Sequence, residues 1–436
     1  MNIGTLLREK IAHRSARVAV LGLGYVGLPL AFECARAGFK TVGIDLDHRK
    51  VDAINAGKNY NHDLDDRALS ELVKREMLWA SADFSLLQDA DVIVISIHIP
   101  VDAEGRPDFS PLDLALREIR GRLKRGQLVI FESTTPPGTT EEKVKPFLEE
   151  SGLKAGLDFH LAYSPERIDP GNKEFQLKNA TKLVSGITPE CTEAAKCFFE
   201  TIIEKVVTAS SPRVAEMSKL YENTFRAVNI AFANEAARMC DRLGIDVWEV
   251  IDTAATKPFG FMPFYPGPGV GGHCIPVIPH FLRWKLKSAG FDERLLALCD
   301  EINLDMPRFV TEKIERALAL RERPLSQSRV LILGVAFKKD VDNYRHSPAL
   351  TVMRLLREKG AEPAYHDPFV PKISWEGTEL SSVKLENGIE AYDCVAVMTN
   401  HSCFNMEEIV RRSRLIVDAR HATRGLKGYE EKIVKL

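Results

Sequence analysis

The sequence predicts an α/β protein in which a long helical segment separates two α/β units, and three features carry this prediction. Short apolar runs, each followed by loop residues and a helical pattern, occur at 17–22, 41–45, 91–96, 128–133 and 159–164. From about 189 to 256 the pattern becomes helical, and in the stretch PRVAEMSKLYENTFRAVNIAFANEAARMCDRLG apolar residues recur every three or four positions up to the stop at Gly244, which indicates a long helix. A second series of strands and helices begins with RVLILGVAF at 329–337.

The composition excludes several classes of protein. Lys and Arg number 59 against 61 Asp and Glu, so no strongly basic surface is available to attract nucleic acid or an anionic membrane. The N-terminus lacks the apolar stretch of a secretory signal, and no segment approaches the roughly 20 apolar residues of a membrane span. The eight cysteines include no C-x-x-C pair. We therefore expect a cytoplasmic protein with free thiols and no metal site.

A glycine-rich turn after the first apolar run indicates a dinucleotide site. Gly22-x-Gly24-x-x-Gly27 joins a strand to a helix, so backbone N–H groups and the helix dipole face a pyrophosphate. Asp45 ends the next strand, 21 residues after Gly24, where its carboxylate accepts hydrogen bonds from ribose hydroxyls. Its charge opposes a 2′-phosphate, which favours NAD over NADP, although the nearby Arg49 keeps NADP as an alternative.

The second α/β unit carries only part of such a pattern. Gly334 follows its first strand, but Ala336, Phe337 and Lys338 stand where further glycines are needed. We therefore expect side chains to hold a nucleotide or another phosphate there, in place of a second dinucleotide.

Four residues have the chemistry of an acyl-transfer site. Cys274 lies in a loop of small residues, GVGGHCIP, where a nearby cation would favour the nucleophilic thiolate. Lys219 and Asn223 are four apart on one helix face and can present an ammonium and an amide to one oxyanion. Glu166, in SPER directly after a strand, is placed as a general base.

Taken together, these motifs resemble those of the UDP-glucose/GDP-mannose dehydrogenase family. GLGYVGLPLA, STTPPGT, SPER, KLYENTFRAVNIAFANE, PGPGVGGHCIP, AFKKD and VDAR occur in the family's order and span nearly the whole chain. The stretch ATKPFGFMPFYPGPGVGGHCIP is closer to members that act on UDP-N-acetylhexosamines, especially UDP-N-acetylglucosamine, than to the UDP-glucose or GDP-mannose branches.

The resemblance implies two Rossmann-like domains joined by a long helix that builds a dimer. It implies an NAD-binding domain at 1–200, a central helical domain with the cysteine loop at 201–319, and a UDP-sugar-binding domain at 320–436. Cys274 would capture the C6 aldehyde, Lys219 with Asn223 would stabilise the oxyanion, and Glu166 would activate water for thioester hydrolysis. Two NAD would be consumed per sugar, because one carbon is oxidised twice.

The resemblance also implies the remaining ligand contacts. The predicted dinucleotide contacts include the glycine turn, Asp45 and Arg49. The further predicted contacts are Tyr25, Val26, Ser96, Thr134 and Arg345. The predicted UDP-sugar contacts include Glu166, Lys219 and Asn223. The further predicted contacts are Arg167, Lys257, Tyr265, Gly271, Phe337, Lys338 and Arg420.

The sequence departs from the family pattern at two positions. The family usually has Pro-Thr-Pro where this chain reads His98-Ile99-Pro100, so a hydroxyl near the cofactor is missing. It usually has an acid four residues beyond the cysteine, where this chain has Ile278. The second oxidation or the hydrolysis is therefore a step at which this chain can differ from its family.

Two other interpretations remain open at this point. A two-electron dehydrogenase of the hydroxyacid type shares the glycine turn and the long helix but has no use for Cys274. A sugar-nucleotide-binding paralogue with little turnover would explain Ile99 and Ile278. Nor do the residues distinguish UDP-N-acetylglucosamine from UDP-N-acetylmannosamine or another UDP-hexose.

We predict a strong preference for NAD over NADP, because the charge of Asp45 opposes a 2′-phosphate on the adenosine ribose. The measurement is kcat/KM for each cofactor at saturating sugar nucleotide. Comparable values for the two cofactors would contradict the role of Asp45 and assign Arg49 to a phosphate.

Overall fold

A computed structural model of the chain describes residues 3–61, 64–102, 104–169, 172, 174–272 and 275–436. It divides into two compact units, Met1–Glu222 with His280–Phe291 and Asn223–Pro279 with Asp292–Leu436. This division concerns packing alone, so the three functional domains and their boundaries stay predictions.

The first unit contains a large, mainly parallel sheet. Its strands are β1 (Arg17–Leu21), β2 (Lys40–Ile44), β3 (Leu78–Ser81), β4 (Val92–Ile95), β5 (Leu128–Phe131), β6 (His160–Tyr163), β7 (Lys182–Gly186) and β8 (Val206–Thr208). They lie in the order β3-β2-β1-β4-β5-β6-β7-β8, and β7 runs antiparallel to β6 while the other neighbours pair in parallel. Its helices are α1 (Ile3–Ala12), α2 (Gly27–Arg36), α3 (His48–Asn55), α4 (Asp66–Lys74), α5 (Ser110–Arg120), α6 (Lys145–Glu149) and α7 (Pro189–Phe199).

The second unit contains a smaller parallel sheet. The helix α8 (Pro212–Leu243) begins in the first unit and ends in this one, and α9 (Val247–Ala254) and α11 (Leu295–Ala319) belong to this unit. The helix α10 (Ile278–Ser288) begins in this unit and belongs to the first unit from His280 onward. The later elements are β9 (Arg329–Leu333), α12 (Pro348–Glu358), β10 (Glu362–His366), β11 (Lys372–Trp375), β12 (Thr378–Ser381), β13 (Cys394–Val397), α13 (Met406–Arg412), β14 (Ile416–Asp418) and β15 (Ile433–Lys435). The sheet has the order β10-β9-β13-β14-β15, and β11 pairs with β12 as a separate hairpin.

These elements confirm the predicted α/β class with two parallel-sheet units. The central strands β4 and β5 are buried at every residue, as expected for strands of a parallel sheet that is covered on both faces. The predicted long helix is α8, which ends at Leu243 before Gly244; that glycine has a φ of 70°, the left-handed conformation that commonly follows a helix.

The first glycine turn is shaped by the backbone around it. Gly22 has a φ of 88°, and a Cβ there would lie 2.4 Å from the carbonyl oxygen of Ser96. A Cβ on Gly27 would lie 1.8 Å from the carbonyl oxygen of Gly22. In contrast, a Cβ on Gly24 would meet no described atom within 4 Å. Packing therefore requires the first and third glycines but not the second.

The two units repeat this local arrangement. Gly334 has a φ of 84° and approaches the backbone of Thr399 after β13, as Gly22 approaches Ser96 after β4. The carboxylate of Asp45 accepts a hydrogen bond from the backbone N–H of Leu23 at 2.8 Å. Asp367, after β10, accepts from two backbone N–H groups of the turn after β9, also at 2.8 Å. In both units, an acid at the end of the neighbouring strand fixes the first turn.

We predict that Gly22→Ala destabilises the first unit by roughly 1–3 kcal/mol, because alanine is strained at positive φ and its Cβ would collide with the Ser96 carbonyl. The midpoint of thermal unfolding measures the loss. Gly24→Ala is the matched control and should leave that midpoint unchanged. Equal midpoints for the two variants would show that the turn relaxes without cost.

Candidate active site

Predicted site residues of the first unit lie at one edge of its sheet. The chain passes from β3 to the opposite side of β1 to form β4, so the strand order reverses between β1 and β4. Ligands of open α/β sheets bind outside the carboxyl ends of the strands at such a reversal. The residues that follow carboxyl ends here are Gly22 to Gly27 after β1, Asp45 after β2, Ser96 after β4, Thr134 after β5 and Glu166 after β6.

The glycine turn offers an exposed surface for a dinucleotide. Tyr25 is 43% exposed, while Gly24 and Val26 are half-buried. Because no described atom packs where a Gly24 side chain would lie, the absence of a side chain there fits the close approach of a pyrophosphate. The residues present at this turn therefore fit NAD.

The acid after β2 has a partner that the sequence interpretation missed. Lys50 Nζ lies 2.8 Å from Asp45 Oδ2, so Lys50 is the cation beside the predicted ribose acid. Arg49 instead forms a two-bond pair with Asp47, through Nε at 2.9 Å and Nη2 at 2.8 Å. The predicted contact of Arg49 with the cofactor stays a prediction. The sequence offered one sign of this pair, because Lys50 lies five residues after Asp45 on the following helix, α3.

Glu166 is a buried carboxylate held by its own loop. It is 8% exposed, and its Oε1 accepts hydrogen bonds from the backbone N–H groups of Arg167 at 2.6 Å and Ile168 at 2.5 Å. Its other oxygen, Oε2, lies 3.4 Å from Lys182 Nζ. The position expected from the sequence, directly beyond β6, therefore carries a carboxylate with one firmly held oxygen and one loosely contacted oxygen.

Lys182 and Glu132 complete a buried group of charges that the sequence interpretation did not identify. The Lys182 side chain is 3% exposed, and it forms an ion pair with the fully buried Glu132. Burial raises the pKa of Glu132, while Lys182 opposes that rise. Burial disfavours the charged lysine, but the two carboxylates outweigh it and raise the pKa of Lys182. The sequence does carry a sign of this group: Glu132 directly follows the apolar strand β5, and Lys182 is the first residue of the apolar strand β7.

Arg167, a predicted substrate contact, is engaged by protein groups in this structure. Its Nη2 lies 2.7 Å from Glu222 Oε1, and its Nη1 donates a hydrogen bond to the Thr181 carbonyl at 3.0 Å. Its role toward a sugar nucleotide stays a prediction.

The two predicted oxyanion groups lie on α8. Lys219 is half-buried, and Asn223 is 4% exposed. Among the described residues, none accepts a hydrogen bond from Asn223 Nδ2. A buried donor without an acceptor costs roughly 1–3 kcal/mol, so it is a group that a bound oxygen would stabilise.

One turn before Lys219, Glu216 fixes the STTPPGT turn against α8. Its carboxylate accepts hydrogen bonds from the backbone N–H of Gly138 and from both the N–H and the hydroxyl of Thr140, the latter two at 2.8 and 2.7 Å. Burial raises the pKa of Glu216 to about 7, although these hydrogen bonds oppose the rise. The sequence interpretation missed this residue, because an acid within a helix reads as a solvent-exposed position.

In the second unit, buried amides hold the glycine- and proline-rich loop. Asn234, on α8, donates to Asn303 Oδ1 at 2.8 Å and accepts from the backbone N–H of Gly267 at 3.0 Å. A Cβ on Gly271 would lie 2.9 Å from the Cβ of Phe337, so only glycine fits this approach. The predicted nucleophile, Cys274, lies outside the described residues.

Arg345 is tied to the same loop. Its carbonyl accepts a hydrogen bond from the backbone N–H of Gly272 at 3.0 Å, and its side chain is exposed. Its neighbour His346 has a φ of 53°, which is a strained backbone for a residue other than glycine. The structure thus brings three predicted residues of the second unit together, namely Gly271, Phe337 and Arg345.

Arg420 is a cation placed against the glycine loop. Its Nε donates to the Met398 carbonyl at 2.9 Å, and a Cβ on Gly267 would lie 2.5 Å from its Nη1. Burial lowers the pKa of Arg420 to about 10, so the guanidinium stays charged at neutral pH. In the described part of the chain, no carboxylate side chain forms an ion pair with it. Such a guanidinium suits a phosphate group.

The other predicted substrate residues of this unit lie nearer the surface. Lys338 is half-buried after β9. Lys257 is exposed, with Nζ 5.0 Å from the centre of the Phe259 ring. Tyr265 is 42% exposed, and its hydroxyl donates to Asp252 at 2.7 Å. The structure does not test any of these as substrate contacts.

The two positions that depart from the family pattern are both buried. Ile99 is 3% exposed, and Ile278, the first residue of α10, is 2% exposed. Both side chains therefore contribute to packing.

Among the helices described, none has the length and apolar character to cross a bilayer.

Profiles of one family match most of the chain in three consecutive parts. The UDP-glucose/GDP-mannose dehydrogenase family matches with its NAD binding domain at 16–203, its central domain at 213–305 and its UDP binding domain at 331–425. The first match confirms NAD as the predicted cofactor.

Named relatives cover almost the whole chain. It is 35% identical to the UDP-N-acetyl-D-mannosamine dehydrogenase of Pyrococcus horikoshii over 93% of this chain and 95% of that protein. It is 37% identical to a UDP-N-acetyl-D-glucosamine 6-dehydrogenase of Pseudomonas aeruginosa over 82% of this chain and 84% of that protein.

Solved structures share the fold along its length. A UDP-D-ManNAc dehydrogenase from Pyrococcus horikoshii has a TM-score of 0.87 at 33% identity, covering 96% of this chain and 98% of that one. A UDP-glucose dehydrogenase from Pyrobaculum islandicum has a TM-score of 0.83 at 26% identity, covering 96% of each chain. The sequence motifs, the two parallel-sheet units and these similarities lead to one conclusion: the chain belongs to the UDP-glucose/GDP-mannose dehydrogenase family.

Proposed function

We propose that this protein oxidises the C6 hydroxymethyl group of a UDP-N-acetylhexosamine to the carboxylate, with UDP-N-acetylglucosamine as the first substrate to test. The observation that carries the proposal is the buried Glu166 at the same sheet edge as the glycine turn. A general base beside a dinucleotide site suits a reaction that both removes hydride and hydrolyses an acyl intermediate. The relatives described above are named for both the gluco and the manno N-acetylhexosamine, which supports this substrate class without choosing the epimer.

In the proposed mechanism, bound NAD supplies the hydride acceptor for each of two oxidations. The thiolate of Cys274 adds to the C6 aldehyde, and Lys219 with Asn223 stabilises the resulting oxyanion. Loss of the second hydride leaves an acyl group bonded to the Cys274 sulfur. Glu166 accepts a proton from the water that attacks this thioester, and the thiolate leaves as the carboxylic acid forms. Two NAD and one water are consumed per sugar.

The UDP portion is proposed to bind the second unit. Arg420 and Lys338 would meet the diphosphate, because both are cations that follow strands of the smaller sheet.

We also propose a homodimer, which the exposed face of α8 supports. Large apolar side chains on that helix are 45–71% exposed at Phe225, Phe232, Met239 and Leu243. Their spacing of seven and four residues places them on one stripe, which suits a helical partner. A cytoplasmic location is part of the same proposal.

A second candidate function is a sugar-nucleotide-binding paralogue with little turnover, and the buried Ile99 and Ile278 favour it. The reaction stoichiometry distinguishes the candidates, because a four-electron dehydrogenase yields two NADH per sugar. A two-electron enzyme of the hydroxyacid type yields one, and a binding paralogue yields none. Titration of each UDP-N-acetylhexosamine with excess NAD provides this count.

We predict that Cys274→Ser abolishes net formation of the uronic acid while substrate affinity stays within about threefold, because a hydroxyl is a far weaker nucleophile than a thiolate near neutral pH. The measurements are NADH release and binding of UDP-sugar. Cys403→Ser, at an exposed thiol of the second unit, is the control and should keep full activity. Acid production by Cys274→Ser at the wild-type rate would make that cysteine structural.

We predict that hydrolysis limits turnover, because Ile278 stands where the family usually has an acid that helps to order water. Rapid mixing should give a burst of NADH, a slower steady phase and an acyl adduct on Cys274 visible by mass spectrometry. Ile278→Asp should speed the steady phase, whereas Ile278→Asn supplies a polar control without charge. Because Ile278 is buried, both variants are first compared by thermal unfolding. The absence of a burst, with no gain from a folded Ile278→Asp, would contradict the prediction.

A further inference from the structure

A buried group of three charges, Lys182, Glu132 and Glu166, lies at the carboxyl edge of the sheet in the first unit. Lys182 contacts both acids. Lys182 forms a close ion pair with Glu132 and a longer contact, 3.4 Å, with Glu166 Oε2. The side chains of all three residues are at most 11% exposed. Charges removed from water in this way require partners, so each member depends on the others.

The direction of β7 creates this group. Ala162 pairs with Gly186 and Tyr163 pairs with Ser185, which is an antiparallel register. Continued beyond the end of β6, the same register places Glu166 opposite Lys182. A strand that ran parallel would bring its first residue to the other edge of the sheet. The reversed strand therefore delivers a lysine to the carboxyl edge, where Glu132 follows β5.

The two contacts of Lys182 are unequal, and this inequality has a chemical consequence. Glu132 is the closer partner of the ammonium, so it supplies most of the balancing negative charge. Glu166 keeps one oxygen bound to two backbone N–H groups and meets the ammonium only at the longer distance. A carboxylate in a close ion pair is a poorer proton acceptor than one with a longer contact.

We propose that Lys182 and Glu132 are positioning residues for the hydrolytic step: Glu132 holds the Lys182 ammonium where it orients Glu166 without suppressing its ability to accept a proton from water. This inference rests on the proposed function, because it assigns Glu166 to thioester hydrolysis. Neither residue needs to touch the substrate.

Other titratable groups around the three charges come from several elements. Cys34, with Glu33 beside it on α2, and Tyr163 on β6 are influenced by Glu132; burial raises the pKa of both the Cys34 thiol and the Tyr163 hydroxyl, so both stay neutral. On α8, Glu216 binds the STTPPGT turn and Glu222 pairs with Arg167. Phe199 on α7 places its ring centre 5.0 Å from Lys182 Nζ. Lys182 is thus the cation shared by Glu132 and Glu166.

The decisive variant is Glu132→Gln, which keeps the size of the side chain but removes its charge. Lys182 should then pair more fully with Glu166, so the acid limb of the pH–rate profile should move to lower pH. The weaker base should slow hydrolysis by about tenfold or more. The first NADH should form at the wild-type rate, and the acyl adduct on Cys274 should accumulate.

Variants of Lys182 test the same inference from the other side. Lys182→Arg keeps the charge and should retain more hydrolysis than Lys182→Met, which leaves two buried carboxylates to share a proton. If Lys182→Met does not fold, Glu132→Gln and Lys182→Arg still decide the outcome. Lys178→Met is the control, because Lys178 is an exposed lysine of the same unit and should keep the wild-type profile.

Wild-type protein that releases one NADH or none, without an acyl adduct, would overturn the proposed function itself. If the wild type releases two NADH through that adduct and Glu132→Gln hydrolyses it with an unchanged rate and pH profile, only the inference on Lys182 and Glu132 is overturned.

Discussion

The common direction of the strands in the first sheet is the constraint on which the candidate site depends. Because β1, β2, β4, β5 and β6 run in parallel, the residue after each strand emerges at the same edge. The glycine turn, Asp45 and Glu166 thereby lie at one edge of the sheet although they are far apart in the sequence. Gly22 and Gly27 are required by the backbone at this edge, whereas Gly24 has no packing neighbour and fits a ligand.

The antiparallel direction of β7 adds a cation to the carboxyl edge of the sheet, which a parallel strand would place at the other edge. It brings Lys182 to the carboxyl edge and places a positive charge between two buried acids. Removing Lys182 would leave two buried carboxylates without their cation, and loss of one partner of a buried ion pair typically costs about 3–5 kcal/mol. Stability and the proton chemistry proposed for Glu166 are therefore linked, since the same contacts that allow burial also decide how readily that carboxylate accepts a proton.

Buried polar contacts also fix the loops that carry the other candidate residues. Glu216 binds the turn at Gly138 and Thr140 within the first unit. In the second unit, Asn234 joins Asn303 to the backbone of Gly267. Loops this rich in glycine and proline have no regular hydrogen bonds of their own, so side chains from long helices supply them. This explains why acids and amides occupy helix positions that a hydrophobic pattern leaves uninterpreted.

The sequence by itself determined the α/β class, the long helix ending before Gly244, the glycine turn after β1 and the family, because each of these depends on local spacing and residue type. It also placed Glu166 directly after a strand. Only the tertiary structure decided that Lys50 pairs with Asp45, that Glu216 anchors a distant turn, and that Lys182 and Glu132 surround Glu166. These partners depend on strand direction and on burial, and neither is readable from a single charged residue, since a lysine that begins an apolar strand has the same sequence signature at either edge of a sheet.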